Sequence, residues 1–303
     1  MNRAGDNASG WLHKTTNAAR RTDTHRGWVL VSGPFLFALL LLAAPLLLMV
    51  LLSFWTQDYL VLHRDFSLAN YQEAWTHPVY RMLMQRSLMI AVTVTALTVL
   101  LAYPMAYFIS FHGGRRKALW LFLITIPFWT SYLLRIFLWK IILGYNGVLN
   151  SGLIWAGMIE EPLTFILYNA NAVIIALAHA WAPFAILPIF VALEKIDRSL
   201  LEAAKDLGDG PVRRFLRVTL PLSMPGVVAA VLIVFIPTIG DYVTPKLVGG
   251  TDGLMIANMI QVQFSKANNA PLGAALALSA MAIVSFVAVV FVVANRRWLR
   301  RQQ

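Results

Sequence analysis

The run WVLVSGPFLFALLLLAAPLLLMVLLSF, from Trp28 to Phe54, contains no charged side chain. A helix rises 1.5 Å per residue and the bilayer hydrocarbon is about 30 Å thick, so about 20 mostly apolar residues are enough to cross it. Five more segments meet that length: about Leu88–Phe111, Ala118–Leu143, Ala170–Leu193, Leu222–Tyr242 and Leu272–Ala294. With 59% hydrophobic residues and a mean hydropathy of +0.67 over 303 residues, the chain reads as an all-α membrane protein with six transmembrane helices. The piece GVLNSGLIWAGMI, between Gly144 and Asn169, is too short to span and predicts a re-entrant or interfacial helix.

The net charge of +11 would suit a nucleic-acid binder if its cations shared one face, but they mark one side of a membrane instead. Of the 25 Lys and Arg, five precede Trp28, three lie in Arg115–Lys117, six in Glu194–Arg217 and four from Arg296 onward. Arg64, Arg81, Arg86, Lys246 and Lys266 fall on the other side, and Arg135 and Lys140 lie within the third span. The positive-inside rule places both termini in the cytoplasm. The expected layout is a flexible tail over residues 1–27, a six-span domain over 28–294 and a basic cytoplasmic tail over 295–303. The first span follows a polar tail and is too long for a cleaved signal, so it is expected to act as an anchor.

Catalytic constellations are missing. There is no cysteine and no G-x-x-x-x-G-K-[ST] nucleotide cradle. The six histidines are scattered without a zinc-type pair, and G-x-S-x-G does not occur. Glu160 and Glu161 are adjacent along the chain and do not face each other across a substrate. Transport, signalling or scaffolding remain.

One cytoplasmic stretch breaks the apolar pattern. Residues 194–217 carry five acidic and six basic side chains in a protein only 13% charged. Leu193, Ile196, Leu200, Ala204 and Leu207 recur at helical spacing, opposite Glu194, Asp197, Arg198, Glu202, Lys205 and Asp206. Gly208 suits a helix C-terminus, and Pro211 suits the first turn of a second helix. Val212, Phe215, Leu216 and Thr219 continue an apolar stripe beside three arginines. Two short amphipathic helices joined by a tight bend are predicted. A lipid-surface hairpin would be mostly basic, whereas these mixed signs suit a protein partner.

EAAKDLGDGPVRRFLRVTLP resembles the EAA loop of the permease subunits of ABC importers. Glu202, Ala203, Ala204, Gly208, Leu220 and Pro221 fall at that motif's positions, with Val218 in place of the usual Ile and Asp209 in place of a small residue. IPFWTSYLLRIFLWKIIL and IGDYVTPKLVGGTDGLMIANMIQVQF are similar to segments of the PotB/PotH-type spermidine/putrescine permeases, and the likeness covers about Trp28–Arg297. The resemblance implies a type I ABC-importer permease fold in a bacterial inner membrane, with the hairpin over 194–221 as a coupling element. It also implies an ABC ATPase dimer that binds ATP and Mg, a second permease subunit, similar or identical, and a periplasmic solute-binding protein. This chain would carry no cofactor and no catalytic residue.

For the solute path, Trp129, Tyr132, Asp241 and Tyr242 have suitable chemistry. Carboxylates neutralise a polycation, and aromatic faces hold it through cation–π contacts. Pro237 and Gly240 are expected to break the helix before Asp241, and irregular backbone at membrane depth is tolerated where it lines a cavity or is buried in protein. Each residue has a plainer reading. Trp129 and Tyr132 would serve interhelical packing, Asp241 would pair with Lys246 or Arg135, and His179 would be a satisfied core histidine. Arg135 and Lys140, about 26 and 33 Å along the third span, would snorkel to the outer interface.

The expected function is therefore that of an importer permease for a polyamine. Lys246 beside the path would instead suit an anion or zwitterion, such as an opine-like or amino-acid-derived compound. A non-transporting scaffold or sensor, or an ion-driven secondary transporter, are the rivals from other classes.

Overall fold

A computed structural model describes the backbone of residues 5–59 and 61–296, with the side chain of Trp28 and those from Leu30 onward within these ranges. Of the tails expected over 1–27 and 295–303, residues 1–4 and 297–303 lie outside the residues so described, while the backbone of 5–27, expected as a flexible tail, is helical and continuous with the first span. The chain divides into two compact units, Met1–Leu52 and Ser53–Gln303.

The first unit belongs to helix α1 (Gly5–Ser53), whose Leu30–Ser53 portion is long and apolar enough to cross a membrane. Pro34 and Pro45 sit inside it, a placement that membrane helices tolerate.

The second unit opens with a β-hairpin, β1 (Thr56–Asp58) and β2 (Val61–His63), followed by α2 (Ala69–Thr76). Asn70 ties this cap together by donating from Nδ2 to the carbonyls of Ser53 and Trp55, at 3.0 and 2.6 Å. Helix α3 (Pro78–His112) begins ten residues before the apolar segment, because Pro78 serves as a first-turn proline.

The third span departs from expectation. Instead of one continuous helix it is α4 (Lys117–Thr125), a 3-10 turn (Ile126–Trp129) and α5 (Tyr132–Ile142), bent by 88°. Pro127 cannot donate to the ladder, although Ile126 before it keeps a helical backbone. Thr130 and Ser131 then turn extended, and the Thr130 hydroxyl closes the corner on the Pro127 carbonyl at 2.7 Å.

Helix α6 (Val148–Trp155) is the short piece anticipated between spans. Buried Asn150 holds it by donating to the Gly144 and Tyr145 carbonyls and accepting from the Leu163 amide. Helix α7 (Ala170–Glu194) is capped by Asn169, whose side chain accepts from the amides of Asn171 and Ala172.

Next come α8 (Arg198–Asp206), α9 (Pro211–Arg214) and α10 (Leu220–Ile239). The second amphipathic helix is not separate: α9 runs through a π-helical turn, Phe215–Thr219, into α10, giving one helical run from Pro211 to Ile239. After a break come α11 (Val243–Val248), α12 (Ile256–Ser265) and α13 (Ala270–Ala294). Among the described residues, five helices can cross a membrane, and the bent pair makes a sixth.

Helices α3, α7 and α10 form the centre. Val94, Ala106 and Ile109 pack with Val173, Leu177, Ile186 and Ile189, and with Ala230 and Val234. Lipid tails are as apolar as leucine, so association relies on close packing of small residues. Gly226 of α10 shows how close: a Cβ there would lie 2.5 Å from both the Ala192 Cβ and the Pro188 carbonyl oxygen of α7. A second cluster joins Tyr80 and Leu83 to Phe235, Ile256, Leu272 and Leu276.

Candidate functional site

Two features stand out: the charged hairpin between α7 and α10, and a buried polar group where α5 meets the break after α10.

Helix α8 starts at Asp197, whose Oδ1 accepts from the Ser199 amide at 2.9 Å. That bond, made to the ionised form, holds the exposed carboxyl below its ordinary pKa. The helix ends at Gly208, φ +86°, a conformation that side chains other than glycine rarely adopt. The Gly208 amide donates to the Lys205 carbonyl and the Asp209 amide to that of Ala204, both at 3.0 Å, which is the Schellman closure. Across the bend, Arg217 Nη1 meets Asp209 Oδ1 at 3.2 Å.

The apolar face is divided. Leu193, Ile196 and Ala204 turn inward and are buried, while Leu200, Leu207, Val212 and Leu216 remain exposed, Leu207 by 86%. Four of the six motif residues line two grooves. Glu202 borders one of about 260 Å³ with Arg198, Lys205 and Arg214. Ala203, Ala204 and Pro221 border the other, about 560 Å³, with Leu200 and Leu207. Leu220, half-buried, starts α10, and Ser223 just beyond it meets the Tyr103 hydroxyl at 2.8 Å. The second arm is thereby fixed to α3.

At the other feature, Asp241 lies in the break between α10 and α11 and is 9% exposed. Its Oδ1 accepts from the amides of Val243 and Thr244, at 2.9 and 3.3 Å, and its Oδ2 accepts from the Tyr132 hydroxyl at 2.6 Å. Tyr132 Oη is also 2.7 Å from Thr244 Oγ1. The carboxylate is thus neither paired with Lys246 nor with Arg135, as the charge pattern suggested. The phenol and two amides supply its donors. The amides come from residues two and three ahead, an aspartate-capping pattern readable in DYVTP.

Arg135 also differs from expectation. It does not snorkel: only 7% exposed, it sits with Cζ 6.0 Å from the Tyr132 ring centre and Nη1 3.5 Å from the Ala180 carbonyl, while Nε has no partner. The bend at Pro127 redirects α5, so distance along a straight span no longer measures depth. His179 is satisfied, since its Nδ1 accepts from Trp139 Nε1 at 3.1 Å, but it is exposed on the chain surface rather than in the core.

The four path candidates do not form one cluster. Tyr132 and Asp241 meet. Tyr242 points elsewhere, its ring lining an apolar groove of about 880 Å³ with Ile260, Phe264 and Met281. Trp129, 74% exposed, packs edge-on to Phe122 at 5.7 Å. Thr244 and Asn258, which donates to the Tyr242 carbonyl at 2.7 Å, belong to the polar group and escape sequence reasoning because neither carries charge.

Residues 98–301 match the family described as binding-protein-dependent transport system inner membrane component. The spermidine/putrescine transport system permease protein PotB of Escherichia coli is 36% identical over 253 residues, covering 83% of this chain and 91% of the relative. PotB of Haemophilus influenzae is 37% identical over 253 residues, covering 83% and 88%. Among solved structures, a chain of a bacterial alginate ABC transporter in complex with a pentasaccharide-bound periplasmic protein superposes with a TM-score of 0.70. It is 16% identical, with 91% of this chain and 96% of that chain covered, and so speaks to the fold.

Proposed function

Because the chain belongs to the inner-membrane components of binding-protein-dependent transport systems, a family of permeases rather than enzymes, we propose that it forms half of the translocation path of a polyamine importer. The observation that carries the solute class is the 36% identity to a spermidine/putrescine permease across 83% of the chain. Asp241 and Tyr132 supply a carboxylate and an aromatic face for a cationic amine. Tyr242 and Trp129 add exposed aromatic surface apart from that pair.

The hairpin is the joint to the motor. Its exposed Leu200, Leu207, Val212 and Leu216 lie among mixed charges on a segment expected in the cytoplasm, a surface suited to an ABC ATPase dimer. Glu202, Ala203, Ala204, Gly208, Leu220 and Pro221 form the coupling element. ATP and Mg bind on that partner, and this chain holds no cofactor. A second permease, similar or identical, completes the path, and a periplasmic binding protein delivers the solute. The excess of Lys and Arg on one side supports a cytoplasmic position for both termini.

One observation favours a second solute class. Buried Arg135 lies beside the same tyrosine and would suit a zwitterion, such as an amino-acid-derived compound. Uptake of labelled spermidine and putrescine by proteoliposomes holding the full complex separates the two. With wild type beside Glu202→Ala, polyamine uptake lost in the variant supports both solute and joint. ATP hydrolysis that responds to the binding protein without carriage of either polyamine moves the solute assignment to the second class.

A further inference from the structure

The two arms of the hairpin are attached to the membrane helices in different ways. The second arm needs no brace, because α9 passes through its π-helical turn into α10 without interruption. The first arm is separated from α7 by Lys195, Ile196 and Asp197, where the helix stops and restarts. A break of three residues absorbs rotation unless something stiffens it.

Side chains from four elements meet at that break. Glu194, the last residue of α7, accepts with Oε1 from Lys117 Nζ at 2.6 Å, at the start of α4, and from Ser110 Oγ at 2.7 Å, near the end of α3. From the far side of the break, Arg198 at the start of α8 donates from Nη2 to the Ser110 carbonyl at 3.3 Å. Its guanidinium lies 5.7 Å from the Phe111 ring centre. Ser110 is therefore gripped through its hydroxyl by the residue before the gap and through its carbonyl by a residue after it. Ile196, inside the gap, is buried in the core.

We infer that Glu194, Lys117 and Arg198 are positioning residues that make α8 move as one body with α3 and α7, doing for the first arm what helical continuity does for the second. The inference rests on the hairpin being the coupling element. Stability is not the reason for the clamp. Lys117 and Glu194 keep 25% and 35% of their side-chain surface exposed, and ion pairs so exposed contribute little to folding. Their geometry instead bridges the break between α7 and α8, where a push on the hairpin would otherwise be lost.

The test uses the complete importer in proteoliposomes and measures solute uptake and ATP hydrolysis together, for wild type, Glu194→Gln, Lys117→Glu and the double variant Glu194→Lys/Lys117→Glu. The Ser110 hydroxyl can donate or accept, so the exchanged pair can still bond to it, while the Arg198 charge, which also acts on position 194, keeps the recovery partial. Expected are a severalfold rise in ATP hydrolysed per solute carried in each single variant and a return towards the wild-type ratio in the double. A wild-type ratio in both single variants would overturn the clamp. Loss of complex assembly in the singles without recovery in the double would also overturn it, by making the contacts purely structural. Failure of wild type itself to hold an ATPase is distinct, because it removes the coupling reading and the clamp with it.

Discussion

The phenolic oxygen of Tyr132 lies 2.6 Å from Oδ2 of Asp241, joining the rebuilt half of the third span to the break after the fifth. Both residues sit where a membrane helix is interrupted, and interrupted backbone needs local partners for its freed polar groups. Asp241 serves two such amides, so Tyr132→Phe and Asp241→Ala should differ in severity. Loss of one hydrogen bond to a charged group costs about 1.5–3 kcal/mol. Asp241→Ala removes that bond and the acceptor for Val243 and Thr244 as well. The thermal midpoint of the purified complex is expected to fall modestly for Tyr132→Phe and further for Asp241→Ala. Equal midpoints would show that the amides find other acceptors.

Contact between α7 and α10 gives a prediction free of chemistry at the path. A Cβ at Gly226 would overlap backbone as well as side chain, since the Pro188 carbonyl oxygen lies 2.5 Å from its position. Overpacking of this kind costs about 1–3 kcal/mol because the helices must part. Gly226→Ala should lower the yield of assembled complex from membranes, and Gly226→Val should lower it more. Gly33, with nothing within 4 Å of an added Cβ, provides the control.

These two relationships differ in how far the sequence announced them. The spans were legible because 20 apolar residues leave a chain few alternatives, and the hairpin because helical spacing, Gly208 and Pro211 all point to one shape. The fracture of the third span was hidden in a segment whose hydropathy hardly changes at Pro127, a residue that some membrane helices carry without breaking: α7 holds two prolines. The burial of Arg135 is hidden with it, because position along a span that turns by 88° does not translate into depth. Asp241 is recognisable in the sequence as a polar residue beside Pro237 and Gly240, but the charge pattern points only to cations as its partners. A phenol 109 residues away carries no charge and leaves no mark at the level of spacing.

Gly208 tests the bend directly. At φ +86° an alanine pays about 1–2 kcal/mol for its Cβ, while asparagine tolerates the left-handed region better. Proline cannot reach that φ and lacks the amide that donates to the Lys205 carbonyl. Nothing lies within 4 Å of an added Cβ, so these changes act on the backbone rather than by clash. Uptake is expected to fall in the order Asn, Ala, Pro, with the Pro variant inactive yet still inserted in the membrane. Normal uptake by Gly208→Pro would mean that the bend is not part of the joint.

Acid should loosen the first arm through Asp197. Its carboxyl is held below the ordinary value by the Ser199 amide, so the folded hairpin favours the ionised form. A carboxyl with a lowered folded pKa stabilises above its unfolded value, about 3.9, and that contribution disappears as pH falls through the folded value. Amide protection over residues 199–201, corrected for the intrinsic pH dependence of exchange, should therefore decline below about pH 4 in the wild type. Asp197→Asn keeps a capping oxygen without a titrating group, so its protection should stay level through the same range. Asp197→Ala should be less protected at every pH. If the Asn variant declined in step with the wild type, the acid response would belong to another group on the hairpin.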